Sequence, residues 1–231
     1  MATQPTFTFA GAQRGARRSV PLSLFAVPFG IAFGAAALEG GMTPVEAMMT
    51  SMVVFAGASQ FAALDLWGDP LPYLSLAIVV FTVNARLIML GAAIAPWLNA
   101  VSPAQRFTAL AFMTDANFAD SVDARREGEN DVAVLLGGGL LLYTSWIFGT
   151  AVGIFAGAVV EAIDTFGVDV VMGAFFTAVV IGGVRSRLAV VPVVVGAVVA
   201  VGTMGLLPSG WNIIAAALAG GASMAVAGAK R

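Results

Sequence analysis

Cysteine and histidine are both absent from this chain of 231 residues. Their absence excludes disulfides, thiolate chemistry, haem and iron–sulfur ligation and the usual zinc sites, so we expect no metal and no cofactor. Any proton transfer must use carboxylates. The sequence also lacks a glycine-rich phosphate loop ending in Gly-Lys-Ser/Thr, and it has no basic patch of the size that nucleic-acid binding requires. ATP and nucleic acid are therefore not among the expected ligands.

Charge is equally scarce. Only 10% of the residues are charged, whereas soluble domains carry about 25%, and 59% are hydrophobic. The mean hydropathy is +0.94. A water-soluble fold cannot bury that much apolar surface, so the composition predicts an integral membrane protein surrounded by lipid. We divide it into a cytoplasmic N-terminal segment, residues 1–18, and a single transmembrane transporter domain, residues 19–229.

Long uncharged runs recur along the chain, and a helix of roughly 20 residues rises about 30 Å, enough to cross the hydrocarbon core. The pattern predicts an all-α, polytopic transmembrane helix bundle of about 7–8 segments. These segments are 19–38, 47–64, 73–95, 104–119, 132–160, 170–184 and, within 188–229, two spans divided at 207–210. The fourth is short and polar, which favours a half-helix. The charged stretch 120–131 is predicted to be a solvated loop.

The distribution of Lys and Arg predicts that both termini are cytoplasmic. The loops around Glu39 and Glu161 have no basic residue, which places them outside, while Arg86 and Arg106 do not fit the pattern. The cytoplasmic charges are Arg14, Arg17, Arg18, those of 120–131, Arg185, Arg187, Lys230 and Arg231. A weak internal similarity aligns Gly41 with Gly167, as an inverted repeat would. Chance similarity among Val, Ala and Gly explains the alignment as readily.

The first polar cluster at membrane depth lies in the second segment, where Ser59 and Gln60 are surrounded by small residues. One interpretation is a helix-packing interface in which Ser59 bonds to its own backbone; the other is a binding site. Glycines at Gly149 and Gly153 likewise fit a Gly-x-x-x-Gly contact face, and for these we favour close helix packing.

The second cluster, Asn84-Ala85-Arg86, places a full charge near the centre of the third segment. A central Arg costs at least about 2.5 kcal/mol in lipid and needs a carboxylate, carbonyls or water. Snorkelling to the headgroups is the alternative, but apolar residues continue for two turns on both sides. Asp115, in the third cluster with Thr114, Asn117 and Phe118, is the best available partner. That cluster could also be a short helix whose acids are simply solvated. We expect broken or half-helices near Asn84–Arg86 and near Asp115.

The three motifs Phe55-Ala-Gly-Ala-Ser-Gln-Phe61, Asn84-Ala-Arg86 and Thr114-Asp115, in this order, resemble the AzlC family of branched-chain amino acid permeases. Gly167-Val-Asp169 opening a span resembles it too. The resemblance implies export of leucine, isoleucine, valine and in some members methionine, a small hydrophobic AzlD-type partner subunit and no ATP hydrolysis. It also implies a bacterial cytoplasmic membrane. The family commonly has Thr-Asp-Glu where this chain has Ala116 after Asp115, so one carboxylate is missing.

A zwitterionic substrate needs an anion-binding group, a cation-binding group and an apolar pocket. Arg86 or a helix N-terminus would hold the carboxylate. The expected substrate-binding residues are Ser59, Gln60, Asn84, Arg86, Thr114, Asp115 and Asn117. Phe55, Gly57, Phe61 and Phe118 are expected to line the pocket. The alternatives are a channel or pore for another small solute, an intramembrane enzyme, which would need a nucleophile with a base or a paired-carboxylate metal site, and a structural subunit without its own substrate.

Overall fold

The computed structural model describes residues 5–159, 188, 190–207 and 211–228, and within these ranges the fold is all-α. The helices are α1 Phe9–Arg18, α2 Val20–Glu39, α3 Pro44–Val53, α4 Gly57–Leu64, α5 Tyr73–Leu98, α6 Pro103–Ala111, α7 Asp115–Arg126, α8 Ala133–Val159, α9 Val190–Gly202 and α10 Trp211–Gly228. In the described part of the chain, three stretches are long and apolar enough to span a membrane: Val20–Glu39, Tyr73–Leu98 and Ala133–Gly157. The predicted transmembrane helix bundle is confirmed.

Helix α8 is the centre of the described bundle, because α1, α2, α3, α6 and α7 all pack against it. Close approach to α2 depends on glycine: a Cβ on Gly34 would overlap the carbonyl oxygen of Thr150, and a Cβ on Gly153 would overlap that of Ile31. The close packing predicted at Gly149 and Gly153 is therefore confirmed.

The glycine contacts also fix the direction of the helices. Gly11 of α1 lies against Asp131, Gly30 of α2 against Gly149, and Gly34 against Ile154, so α2 runs parallel to α8. We call the end of the bundle where α2 finishes the Glu39 end, and the end where α8 begins the Glu127 end.

The segment predicted as one span over 47–64 is instead a helical hairpin of α3 and α4, and that prediction is wrong. The side chain of Gln60 reaches back to Ser51, and Leu64 at the end of α4 lies beside Gly40 at the Glu39 end. The hairpin therefore enters and leaves the bundle at the Glu39 end. Its tip is the non-helical stretch 54–56, which begins with the β-branched Val54 and is followed by Gly57, and both residue types have low helix propensity.

The break expected at Asn84–Arg86 is also wrong, because α5 is continuous from Tyr73 to Leu98. The polar side chains find partners on neighbouring helices, so the backbone of α5 stays helical. At the C-terminal end of α5, the indole of Trp97 donates to the carbonyl of Asn130 at 3.3 Å. This contact places the end of α5 at the Glu127 end, so α5 runs antiparallel to α8.

The break expected near Asp115 is confirmed between α6 and α7. The predicted solvated loop over 120–131, however, is helical as far as Arg126. Asp115 in the first turn and Arg125 and Arg126 in the last turn suit the helix dipole, and Arg18 pairs with Asp120, which ties α7 to α1. Since α6 starts just after α5 ends and α7 finishes at the Glu127 end, these two helices form a second hairpin, whose tip is the stretch 112–114.

The two hairpins begin with the same sequence device. Thr43-Pro44-Val45-Glu46 and Ser102-Pro103-Ala104-Gln105 both form a capping box with proline at the first helical position. The interval from Thr43 to Ser102 equals that between the helix ends Glu39 and Leu98. The unit of α2 with α3–α4 thus recurs, in opposite orientation, as α5 with α6–α7.

Other predictions fall partly or wholly outside the described residues. The alignment of Gly41 with Gly167, the segment 170–184 and the charges Arg185 and Arg187 lie there, as do 208–210 and both chain termini. In the described part of 188–229, the predicted pair of helices is present as α9 and α10, which pack against each other.

Candidate functional site

The two hairpin tips meet α5 at half its length. Arg86 lies near the middle of α5, about 20 Å from either end at 1.5 Å per residue. The second arm of each hairpin starts at its tip, so α4 and α7 both begin deep in the bundle. Each presents a helix N-terminus, which carries a partial positive charge, near the middle of α5.

Arg86 pairs with Asp115, as the sequence predicted. The guanidinium Nη2 lies 2.8 Å from a carboxylate oxygen of Asp115, and the side chains are 40% and 50% exposed within the described structure. Asp115 is the first residue of α7, where the helix dipole also favours its negative charge. This arrangement gives each charge a partner while leaving both open on one side.

Asn84 faces the other hairpin. Its amide Nδ2 donates to the hydroxyl of Ser59 at 3.1 Å, and Ser59 in turn donates to the carbonyl of Ala56 at 2.9 Å. Ser59 therefore makes the bond to its own backbone that the packing interpretation required, and it also joins α4 to α5. Asn84-Ala-Arg86 thus links α5 to both hairpins.

Gln60 is almost fully buried, 1% exposed, and belongs to a polar network between α3, α4 and α8. Its amide nitrogen donates to Ser51 at 3.2 Å, the hydroxyls of Ser51 and Thr150 lie 2.9 Å apart, and the indole of Trp146 donates to Ser51 at 3.3 Å. Sequence reasoning missed Ser51, Trp146 and Thr150. Serine and threonine in apolar helices usually bond to their own backbone, so they give little signal.

Three buried polar atoms in the site have no hydrogen-bond partner among the described residues. They are Gln60 Oε1, Asn84 Oδ1 and Arg86 Nε. A buried polar group without a partner costs about 1–3 kcal/mol, more when the group is charged. All three belong to the residues predicted to bind substrate. Two acceptors and one charged donor are thus available at this place in the bundle.

Thr114 and Asn117 are used by the fold itself. They form the capping box of α7, and the side-chain amide of Asn117 also donates to the carbonyls of Phe112 at 3.0 Å and Leu135 at 2.9 Å. Asn117 is fully buried. Hydrogen bonds within the fold thus engage both the side-chain oxygen and the side-chain nitrogen of Asn117.

The predicted pocket aromatics lie in different places. Phe61 is in the core beside Phe33 and Trp146, and Phe118 packs on the cluster around Trp97. A Cβ on Gly57 would meet the ring of Trp146 at 2.7 Å, so this glycine admits the indole. Phe55 lies in the stretch 54–56, at the tip of the first hairpin.

Aromatic contacts at the two tips converge on Tyr143 of α8. Its ring lies 5.1 Å from that of Phe55 and 5.2 Å from that of Phe112. Tyr143 gives no signal of its own in the sequence. A tyrosine within an apolar run is ordinary, and only the position of both tips reveals it.

The Glu127 end carries a network of exposed ion pairs. Arg14 donates to Glu129 at 2.6 Å, and this bond lowers the pKa of Glu129 below its ordinary value of 4.5. Arg18 pairs with Asp120 and Glu127. These pairs attach α1 to α7 and to the loop before α8. No group of three or more potential metal-ligating side chains occurs among the residues that the structure describes.

A family model described as "AzlC protein" matches residues 21–160, which is more than half of the chain and takes in both hairpins, α5 and α8. The chain belongs to the AzlC family. As an AzlC protein it is a membrane protein, and every residue predicted to bind substrate lies inside the matched range. Membership is consistent with a transporter or permease.

Three relatives of this AzlC protein agree with the assignment. An uncharacterized membrane protein of Archaeoglobus fulgidus is 36% identical over 146 residues, 63% of each chain. Inner membrane protein YgaZ of Escherichia coli is 27% identical over 161 residues, 67% of this chain and 64% of the relative. An uncharacterized membrane protein of Helicobacter pylori strain J99 is 30% identical over 148 residues, 64% of each. The matches thus span just under two thirds of the length of each relative. No solved structure matches this chain.

Proposed function

We propose that this AzlC protein is the large subunit of a secondary transporter that exports branched-chain amino acids, namely leucine, isoleucine, valine and also methionine. It would act in the bacterial cytoplasmic membrane with both termini inside and with a small hydrophobic AzlD-type subunit as partner. We expect no enzymatic activity and no ATP hydrolysis. The observation that carries the proposal is the Arg86–Asp115 pair at half the length of α5.

The pair and its surroundings suit a zwitterion. The substrate carboxylate would bind Arg86, whose Nε has no partner among the described residues, with the N-terminus of α4 adding positive potential. The ammonium would donate to the side-chain oxygens of Gln60 and Asn84, which have no partner among the described residues. Phe55 at the first hairpin tip would contact the apolar side chain. Each group of the amino acid then has a complementary partner.

Substrate binding would also release a proton acceptor. When the substrate carboxylate takes the place of Asp115 on Arg86, the freed Asp115 carboxylate accepts a proton. Without histidine, a carboxylate is the available group, and Ala116 supplies none beside it. Export would thereby be coupled to the proton gradient.

The first test is leucine efflux from proteoliposomes. We expect Arg86→Ala and Asp115→Asn each to lower the efflux rate by more than about tenfold, which corresponds to about 1.4 kcal/mol. Arg126→Ala is the matched control, because Arg126 forms an exposed pair with Asp123 on the same helix as Asp115. Normal efflux by both Arg86→Ala and Asp115→Asn, at normal membrane levels, contradicts the proposal.

A channel for another small solute is the second candidate, because the Arg86–Asp115 pair is half exposed within the described structure. Counterflow separates the two. A transporter accelerates uptake of labelled leucine into vesicles preloaded with unlabelled leucine, whereas a channel does not. Co-purification with a co-expressed small hydrophobic subunit tests the proposed partner independently.

A further inference from the structure

Tyr143 touches both hairpin tips at once. It lies ten residues into α8, about 15 Å from the start of that helix. Its hydroxyl donates to the carbonyl of Met52, in the last turn of α3, at 2.9 Å. The rings of Phe55 and Phe112, one from each tip, meet the Tyr143 ring edge-on at 88° and 76°.

The hairpins approach this residue from opposite ends of the bundle. The arms of α3–α4 return to the Glu39 end, and those of α6–α7 return to the Glu127 end. Helix α8 is continuous between them. Withdrawing either tip toward its own end must therefore break a contact with Tyr143.

We propose that Tyr143 is a positioning residue that holds both hairpin tips closed, so that each hairpin is a gate to one side of the membrane. This inference rests on the proposed transport function and adds the two gates that a transporter needs to expose its site to one side of the membrane at a time. Because the tips share one residue, the site near Arg86 opens to one side while the contact with the other tip persists.

The two gates are closed unequally. The α3–α4 tip is held by a ring contact and by the hydrogen bond to Met52, whereas the contact described between Phe112 and Tyr143 is a ring contact alone. Further from the tips, Ser51 bonds to Thr150 and Asn117 bonds to Leu135, which anchor the arms to α8. Tyr143→Phe removes the hydroxyl and keeps both ring contacts, so it loosens one gate selectively.

Because the chain has no cysteine, single thiols can report on each gate without a background. Ala63→Cys on α4 and Ala109→Cys on α6 are suitable, since these alanines are 6% and 0% exposed. Each reporter is labelled in proteoliposomes with a membrane-impermeant maleimide added from either side. No substrate is needed.

We expect Tyr143→Phe to raise the labelling rate at Ala63→Cys by roughly two- to tenfold, the effect of losing one hydrogen bond, and to leave Ala109→Cys unchanged. Phe112→Ala should raise the labelling rate at Ala109→Cys and leave that at Ala63→Cys unchanged. Phe155→Ala is the control for removing a phenyl ring from the bundle, because Phe155 of α8 is 75% exposed.

Equal labelling of both reporters in all variants overturns the proposal, and so does a Tyr143→Phe effect of the same size at both. The outcome is separable from that of the leucine assay. If Arg86→Ala abolishes efflux while labelling does not respond, the gating role alone fails. If labelling responds as expected while efflux is insensitive to Arg86, the gates stand and the proposed substrate site fails.

Discussion

Asn84 and Arg86 are two residues apart on α5 and therefore point to nearly opposite sides of that helix, about 200° apart. Asn84 reaches Ser59 in the first hairpin, and Arg86 reaches Asp115 in the second. The spacing of the motif is thus the spacing needed to contact two hairpins from one helix. An isolated polar residue could serve only one of them.

At the same scale, we expect substitutions of Asn117 and Asn84 to have contrasting effects on stability and on leucine efflux. Asn117→Ala removes bonds to Phe112 and Leu135 and leaves those carbonyls buried, so we expect a loss of roughly 1–3 kcal/mol in unfolding free energy. Asn84→Ala removes one bond to Ser59 and should cost less, while impairing leucine efflux. Thermal denaturation in detergent measures both, and equal melting temperatures for the two variants contradict this division of roles.

These two asparagines also show what the sequence could reveal of the site. Composition and membrane depth singled out both, together with Arg86 and Asp115, and the ion pair between the last two was predicted correctly. One partner of Asn117, the carbonyl of Leu135, belongs to the next helix, α8, 18 residues further along the chain. Since backbone carbonyls carry no sequence signal, an asparagine that holds backbone carbonyls, such as Asn117, and one that links two side chains, such as Asn84, look alike until the fold is known.

At the scale of elements, hydrophobic run length located α2, α5 and α8 but misassigned the first hairpin, and it missed that α7 continues to Arg126. A run of about 18 apolar residues predicts a single span by length alone, yet 47–64 folds back at 54–56. The return of the chain is decided by contacts with other helices, such as Gln60 with Ser51. Solvated acids over 120–131 would favour a loop, but Asp120, Glu127 and Glu129 pair instead with arginines of α1.

Helix packing through glycine gives the prediction at this scale. Gly153→Ala places a methyl group against the carbonyl of Ile31 on α2, so we expect overpacking to cost roughly 1–3 kcal/mol. Gly221→Ala is the matched control, because a Cβ there meets nothing within 4 Å among the described residues and alanine is the better helix former. The melting temperature should fall for the first variant and stay level or rise for the second. The reverse order would show that the α2–α8 contact tolerates a wider separation.

On the scale of the whole molecule, the ion pairs at the Glu127 end join α1 to α7 and to the loop before α8. Arg14 and Arg18 reach Glu129, Asp120 and Glu127 across more than a hundred residues of sequence. The second hairpin is thereby attached to α1 as well as to α8. Movement of α7 must therefore carry α1 with it or break these pairs.

The pH dependence of stability follows from the same network. Because the bond to Arg14 lowers the pKa of folded Glu129 below 4.5, its stabilisation is present above pH 4.5 and is lost as the pH falls through the folded pKa. We expect wild type to melt at a higher temperature than Glu129→Gln at pH 7. The difference should shrink on acidification below pH 4.5. Asp123→Asn, which removes an exposed pair within α7, should follow wild type throughout. A difference that is constant from neutral to acid pH contradicts the assignment.

The matching capping boxes at Thr43 and Ser102 have a consequence for insertion into the bilayer. Each box starts a hairpin shortly after a long helix, and the two hairpins enter from opposite ends of the bundle. A unit of one helix and one hairpin is thus accommodated in either sense across the membrane.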